Sequence, residues 1–391
     1  MSKKALAKYT VRKLNIDKIE QIDALALASG ELYSMVVSRF WRTVRKKGIW
    51  LSPASMMRWC NSNKLHAHSA DAVVQCFFAS LKSWSVLKKT NTDAKPPHKR
   101  HRYFKVQWKS SAIRVKDGFL MLSNGKGNDP LVISWSWGMP KLVEIGWNGI
   151  GYVLRATYLN DPKPIITEGN IVGIDLGEIH IAVAHNGTDC IILNGRKLRS
   201  IKQYQNKLKA KISSKIDKKK RGSKRRKRLM RSKNKQLNRI KNQINDISHK
   251  QTTKLISVLE SKGAKTVVIG DVRDIRQNID YGKKVNQKLH QWSHGQTRSQ
   301  ITYKAERKGI TVVLVNEAYT SQTCPCCGHK HKPQGRNYKC NACGFQYHRD
   351  GVGAINIRNK YLGNVIPVVG VMSSPIGIRY KPHNLCSSGI R

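Results

Sequence analysis

The sequence predicts an α/β fold in its second half, fronted by a helical unit and a small antiparallel barrel. Three observations carry that expectation. Short β-branched runs at Ile171–Asp175 (IVGID), Thr266–Asp271 (TVVIGD) and Thr311–Glu317 (TVVLVNE) each end in an acid. Helical stretches separate these runs, as an α/β sheet requires. In the first half, apolar residues recur at helical spacing up to about residue 95, and alternate after residue 103.

Composition narrows the partner. Lys and Arg outnumber Asp and Glu 73 to 23, a net charge of +50 with a pI near 10.3. A field of that strength calls for a polyanion. No 18-residue apolar run, signal peptide or lipidation motif is present, so the expectation is a soluble cytoplasmic protein with no membrane partner. Five of the nine cysteines crowd between 324 and 343, a spacing that favours metal over disulfides.

Residues 1–15 are basic around a short strand. From Asp17, a fair N-cap, a helical stripe runs through Ile19, Ile22, Leu25, Leu32, Met35, Val36 and Phe40, with Gly30 a candidate break. A second stripe takes Met56, Met57 and Trp59, then Val73, Val74, Phe77, Phe78, Leu81 and Trp84. Both read first as core. The basic, proline-broken linker Lys95–Arg102 follows, then short strands at Tyr103–Trp108, Gly118–Leu122, Leu131–Trp135, Leu142–Trp147 and Tyr152–Tyr158. Turn signals at Asp117-Gly118, Ser123–Gly125 and Asn148-Gly149 suit an antiparallel barrel. Trp108, Trp135, Trp137 and Trp147 read as core before they read as base-stacking residues.

Ile171–Asp175 pairs naturally with Ile179–Ala184, and Asn186-Gly187 turns into Cys190–Leu193, an antiparallel start unlike a Rossmann unit. Residues 196–241 then hold 22 Lys and Arg against one acid, Asp217. A run such as Lys218, Lys219, Lys220, Arg221, Lys224, Arg225, Arg226, Lys227, Arg228 and Arg231 repels itself as a bare solvent face. A phosphate backbone along it accounts for it better, and such contacts position nucleic acid without reading bases. A helix over Asn245–Ser261, a loop over Asp280–Asn286 and a helix over Leu289–Lys308 complete this part.

Cys324-x-x-Cys327 and Cys340-x-x-Cys343 stand twelve residues apart, each followed by glycine. Two such knuckles close one tetrahedral Zn²⁺ site, structural because all four ligands are protein. Cys326 is a less well placed alternative. Reactive groups of α/β sheets gather at strand carboxyl ends, so Asp175, an acid of the other two strands, and Asp350 in the HRD triplet can converge. Clustered carboxylates call for cations, and a pair of Mg²⁺ ions would suit phosphodiester chemistry. Read singly, each acid is an ordinary solvated strand end.

With these motifs in order (GIDLG, YTSQTCPCCG, a second CxxCG and HRDGVGAINI) residues 171–360 resemble the TnpB proteins of bacterial transposons and their descendants, the compact type V CRISPR effectors. The resemblance implies an RNase H-like RuvC nuclease domain with an inserted zinc ribbon, preceded by a wedge β-barrel with an inserted helical recognition domain. It implies wedge segments at 1–15 and 96–165, the helical domain at 16–95, and RuvC at 166–319 with the basic helices 196–241. The ribbon would be 320–347, the last RuvC helix 348–362, and an irregular tail 363–391. It further implies a monomeric ribonucleoprotein in which a transposon-end guide RNA pairs with double-stranded target DNA, while protein reads a short flanking motif. Arg349 would contact the scissile phosphate or form a salt bridge.

One departure matters. The family's second catalytic strand usually ends hydrophobic-Glu-Asp, whereas Val268-Ile269-Gly270-Asp271 puts glycine where the glutamate belongs. Asp271 could substitute, or the enzyme could be inactive. The preferred reading is that Glu317 ends the neighbouring strand and reaches into the space over Gly270, as in a subgroup of TnpB. Period-two alternation turns Asp271 to the other face. On this reading Asp175, Glu317 and Asp350 are catalytic and hold two Mg²⁺. An inactive RNA-guided DNA-binding protein and a type V CRISPR effector are the alternatives. A DNA-transposing enzyme lacks support, since no His-hydrophobe-His pair with a nucleophilic tyrosine is visible.

Overall fold

In the computed structural model of this 391-residue chain, residues 9–17, 20–159, 161, 163–272, 280–363 and 374–378 are described. Positions 1–8 of the first expected wedge segment, and most of the tail with Cys386, lie outside them. The described residues divide into two compact units, one beginning at Tyr9 and the other at Asp161.

The first unit runs β1 (Tyr9–Ile16), α1 (Glu20–Lys47), α2 (Pro53–Trp59), α3 (Ala67–Lys88), then β2 (Val106–Lys109), β3 (Ile113–Lys116), β4 (Phe119–Leu122), β5 (Leu131–Ser134), β6 (Leu142–Trp147) and β7 (Tyr152–Leu159). Its strands form two antiparallel sheets, ordered β1-β7-β6-β2 and β3-β4-β5, rather than one closed barrel. The β3–β4 turn takes positive φ at both Asp117 (49°) and Gly118 (77°), the primed geometry that matches strand twist. Gly30 does not break α1. A Cβ there would lie 2.2 Å from the Arg102 carbonyl oxygen, so glycine admits the chain that crosses the helix.

The two apolar stripes bury Ile22, Leu32, Phe40, Val74 and Phe77 in one core with Trp108 and Trp135. Met35 and Trp59 are corrections, since both are exposed, and Trp59 lies under the Arg39 guanidinium at 5.0 Å. Trp147 is likewise exposed.

The second unit is built on a six-stranded sheet. Its strands are β8 (Asn170–Asp175), β9 (His180–His185), β10 (Cys190–Asn194), β11 (Ala264–Asp271), β12 (Thr311–Asn316) and β15 (Ile376–Ile378), ordered β12-β11-β8-β9-β10-β15. β8, β9 and β10 are antiparallel neighbours, while β11 and β12 join parallel to β8. The strand at Ile376–Ile378 pairs parallel with β10, where the sequence suggested an irregular tail.

Helices α4 (Arg196–Asp217) and α5 (Lys224–Ser261) join through Lys218–Ser223, with φ +84° at Gly222 and the Ser223 hydroxyl capping α5. α6 (Lys283–Gln291) begins within the 280–286 stretch read as a loop, of which only 280–282 stay non-helical, and α7 (His294–Arg307) follows it. The single helix expected over 289–308 therefore breaks at Trp292, which is extended and buried in the core. Burying an indole is worth roughly 3 kcal/mol, more than the ~1 kcal/mol of a helical hydrogen bond. Two short strands, β13 (Asn337–Lys339) and β14 (Gln346–His348), lead into α8 (Arg349–Leu362). α8 lies against β8 so closely that a Cβ at Gly173 would sit 2.2 Å from the Ala354 carbonyl oxygen. Among the described residues, no helix is long and apolar enough to cross a membrane.

Candidate active site

Strand alternation decides which acids share a face. Gly173 faces α8, and Asp175, two residues on, faces the same way. The Asp175 carboxylate lies against α8 where glycine leaves room, since a Cβ at Gly353 would be 2.6 Å from Oδ2. Gly270 follows Ile269, the partner of Ile174, so it neighbours Asp175 on the same side. A Cβ at Gly270 would meet Glu317 Oε2 at 2.7 Å, Ile357 Cδ1 at 2.9 Å and Glu317 Cβ at 3.1 Å. The carboxylate of Glu317 thus fills the space that Gly270 leaves. Asp271 points away and takes a 3.1 Å salt bridge from Arg298 on α7.

The turn after β12 is held tightly. Asn356 Nδ2 donates to the carbonyls of Thr320 and Thr323, both at 2.7 Å, and Lys360 Nζ donates to Ala318 O at 2.6 Å. Tyr319 accepts a positive φ of 64° within this turn. Asp350, in the first turn of α8, receives His180 Nδ1 at 2.7 Å and Arg336 Nη1 at 3.5 Å on Oδ2. Neither His180 nor Arg336 stood out in the sequence, because a single histidine in a strand and one arginine in a basic chain carry no local signal.

The electrostatics follow from this crowding. Burial, then the charges of Glu317 and Asp350, pushes Asp175 up to about 8. Burial and the Asp271 charge push Glu317 up to about 7. Glu317 Oε2 is buried with no hydrogen-bond partner among the described residues. An Asp175 raised by burial and by the neighbouring Glu317 and Asp350 charges, with an orphaned Glu317 oxygen beside it, forms a donor set that suits a hard divalent cation. Arg349 contributes positive charge at Asp175, and its guanidinium donates weakly to Gly335 O.

The four cysteines converge as their spacing predicts. Cys324 and Cys343 sulfurs are 3.6 Å apart, as are those of Cys327 and Cys340, and all four lie within 4.8 Å of one another. Tetrahedral Zn–S bonds of about 2.3 Å demand S···S edges of about 3.8 Å, so the cluster fits zinc. Each knuckle turns on a positive-φ glycine, Gly328 (74°) or Gly344 (72°). Burial alone would raise the Cys340 thiol, but N–H groups of Cys343 and Ala342 bring it down to about 6. Cys326 stays outside this cluster.

Of the basic run, Lys218, Lys220, Arg221, Lys224, Arg225, Lys227, Arg228 and Arg231 are exposed on the α4–α5 hairpin. Lys219 is half-buried, and Arg226 is spent within the protein, donating to Ile216 O at 2.7 Å and Lys219 O at 3.2 Å.

Comparison with known proteins places this arrangement. Residues 156–276 match the family profile described as "Probable transposase", and residues 294–357 that described as "Cas12f1-like, TNB domain". A TnpB-like protein of Methanocaldococcus jannaschii is 26% identical over 313 residues, 78% of this chain and 71% of that protein. The chain is thus similar to TnpB-like proteins along most of its length. A second TnpB-like protein of that organism is 34% identical over 124 residues, 31% of this chain and 44% of the relative. The CRISPR-associated endodeoxyribonuclease Cas12f1 of Sulfoacidibacillus thermotolerans is 29% identical over 122 residues, 30% of this chain and 28% of that enzyme. The alignments to these last two thus span less than half of either relative. Among solved structures, Cas12f1 in its complex with sgRNA and target DNA superposes with a TM-score of 0.61. That match is 14% identical and covers 87% of this chain and 82% of that one, so this chain shares its mixed α/β fold.

Proposed function

We propose that this TnpB-like protein is an RNA-guided endonuclease that hydrolyses double-stranded DNA. The observation that carries the reading is Oε2 of Glu317, buried and without a hydrogen-bond partner among the described residues, seated over Gly270 beside Asp175. It favours an intact site of the rearranged-glutamate subgroup over an inactive one, because an unpartnered buried carboxylate is costly unless a cation joins it. Two Mg²⁺ ions held by Asp175, Glu317 and Asp350 would supply Lewis-acid charge for attack of water on a phosphodiester and departure of the 3′ oxygen.

The six-stranded unit acts as the RuvC nuclease, with ribbon residues 320–347 inserted before its last helix at 348–362. The strands of 1–15 and 96–165 serve as the wedge, and helices within 16–95 as the recognition domain that meets guide and target. Exposed lysines and arginines of the α4–α5 hairpin neutralise phosphates of the guide–target duplex, while pairing to a transposon-end guide reads sequence and protein reads the flanking motif. Arg349 presents its charge to the scissile phosphate.

The test is plasmid cleavage by protein purified with its own RNA, in Mg²⁺, for wild type, Asp175→Ala, Glu317→Ala and Asp271→Ala. Loss of cutting in the first two variants alone supports the assignment. Loss in Asp271→Ala but not Glu317→Ala overturns the role of Glu317. A wild type that binds target without cutting makes the protein an RNA-guided DNA-binding factor.

A further inference from the structure

The proposed metal set leaves one buried interaction unexplained. The His180 side chain is only 8% exposed at the start of β9, yet its Nδ1 lies 2.7 Å from Asp350 Oδ2, across 170 residues of sequence. The glycine turn Gly177–His180 brings it there, since a Cβ at Gly177 would be 2.6 Å from the His180 carbonyl oxygen. His348 lies beside it, its ring centroid 5.1 Å away and its plane tilted by 53°.

Two uses of this cluster can be separated by charge. His180, His348 and Asp350 lie close enough to ligate an ion. However, Arg336 Nη1 stands 3.3 Å from His180 Nδ1 and 3.5 Å from Asp350 Oδ2. A guanidinium already occupies the position of a cation, and a second positive charge there would be repelled. With Nδ1 facing a carboxylate oxygen, the ring donates N–H to Asp350, and Arg336 serves the same oxygen. Oδ1 of Asp350 takes no hydrogen bond among the described residues.

We propose that His180 is a positioning residue: its Nδ1–H fixes Asp350 through Oδ2 and so aims Oδ1 at the ions shared with Asp175 and Glu317. This rests on the metal site proposed above. Carboxylate ligands are ordinarily oriented by a hydrogen bond of this kind, and its loss typically costs about 10–100-fold in metal affinity or activity.

The experiment measures Mn²⁺ affinity of the full-length, zinc-loaded, RNA-free protein by calorimetry, together with kcat and KM for cleavage by the ribonucleoprotein. Three variants are compared: His180→Asn, His180→Gln and His180→Leu. The asparagine amide can stand where Nδ1 stands, whereas the glutamine amide falls where Nε2 stands. The expected result is near-wild-type Mn²⁺ affinity and kcat for Asn, and about 10–100-fold losses for Gln and Leu, with target KM unchanged in all three. Comparing two amides keeps the test valid if Leu melts early. Equal Mn²⁺ affinity in Asn and Gln variants overturns the proposal. Asp175→Ala and Asp350→Ala run alongside: if these also bind Mn²⁺ like wild type, the metal site itself is wrong, whereas their loss with Gln unaffected removes only His180.

Discussion

Gly270→Ala is the sharpest perturbation of the proposed site, because it adds one methyl group and no charge. The new Cβ would stand 2.7 Å from Glu317 Oε2, 2.9 Å from Ile357 Cδ1 and 3.1 Å from Glu317 Cβ. Ordinary carbon–oxygen contact needs about 3.4 Å or more, so the carboxylate must retreat by roughly 0.7 Å or change rotamer. Two of the three atoms are far ends of flexible side chains, which keeps the stability cost near the low end of overpacking, about 1 kcal/mol. In a unit this size that is a loss of roughly 2–4 °C in Tm. The chemical cost is larger. Misplacing a reacting group by about 1 Å costs on the order of 100-fold, and kcat for plasmid cleavage should fall by that factor. A swap isolates the cause: Gly270→Glu with Glu317→Gly returns a carboxylate to the strand position usual in the family and should recover activity lost in Glu317→Gly. The measurement is single-turnover cleavage with melting curves in parallel. Full activity in Gly270→Ala, or a drop no larger than 1 kcal/mol of destabilisation explains, would refute the claim that this space belongs to a working carboxylate.

Cys340→Ser should release about one zinc per chain, by atomic absorption, and lower the melting temperature of the carboxyl-terminal unit, because metal binding at such a site is also folding energy; unchanged zinc content would reject the ribbon. Replacing Lys224, Arg225, Lys227 and Arg228 by glutamine should flatten the salt dependence of nucleic-acid binding by about 0.9 in log–log slope for each phosphate no longer neutralised. An unaltered slope would clear the hairpin of that role. His185, 1% exposed, is held down to about 4 by burial and the charge of Arg358, while its Nδ1 accepts the Gly187 N–H. The unfolded chain therefore binds this proton first as pH falls. Stability should be full above about pH 6.5 and decline towards pH 4, by on the order of 3 kcal/mol at most. His185→Asn should flatten that acid limb in chemical denaturation at stepped pH.

The strands ending in Asp175 and Asp271, and the one that stops at Asn316 just before Glu317, were legible as short β-branched runs closing on or beside an acid. Cysteine spacing revealed the knuckles, and the glycine at 270 pointed to its own replacement. What escaped was set by distance or by tertiary override. His180 meets Asp350 across 170 residues, which no local pattern carries. The interruption at Trp292 contradicts helical periodicity because core burial outweighs a turn of hydrogen bonds. Arg226 looks like its neighbours in sequence, and only the carbonyls of Ile216 and Lys219 distinguish it. The exposure of Trp59 and Trp147 shows the same limit, since a stripe gives a face but not its edges.

The insertion between β12 and α8 has a mechanical consequence. Glu317 and Asp350 bracket 32 residues, and Asn356 ties the near end of that span to the helix that carries Asp350. An unstructured span of that length would resist closure by about 3 kcal/mol of chain entropy. The cysteine knuckles collapse it into a short, stiff bracket instead. Loss of the ribbon ion would then loosen the two acids relative to each other while leaving β8 to β11 paired, so zinc would set the spacing of a site it never touches.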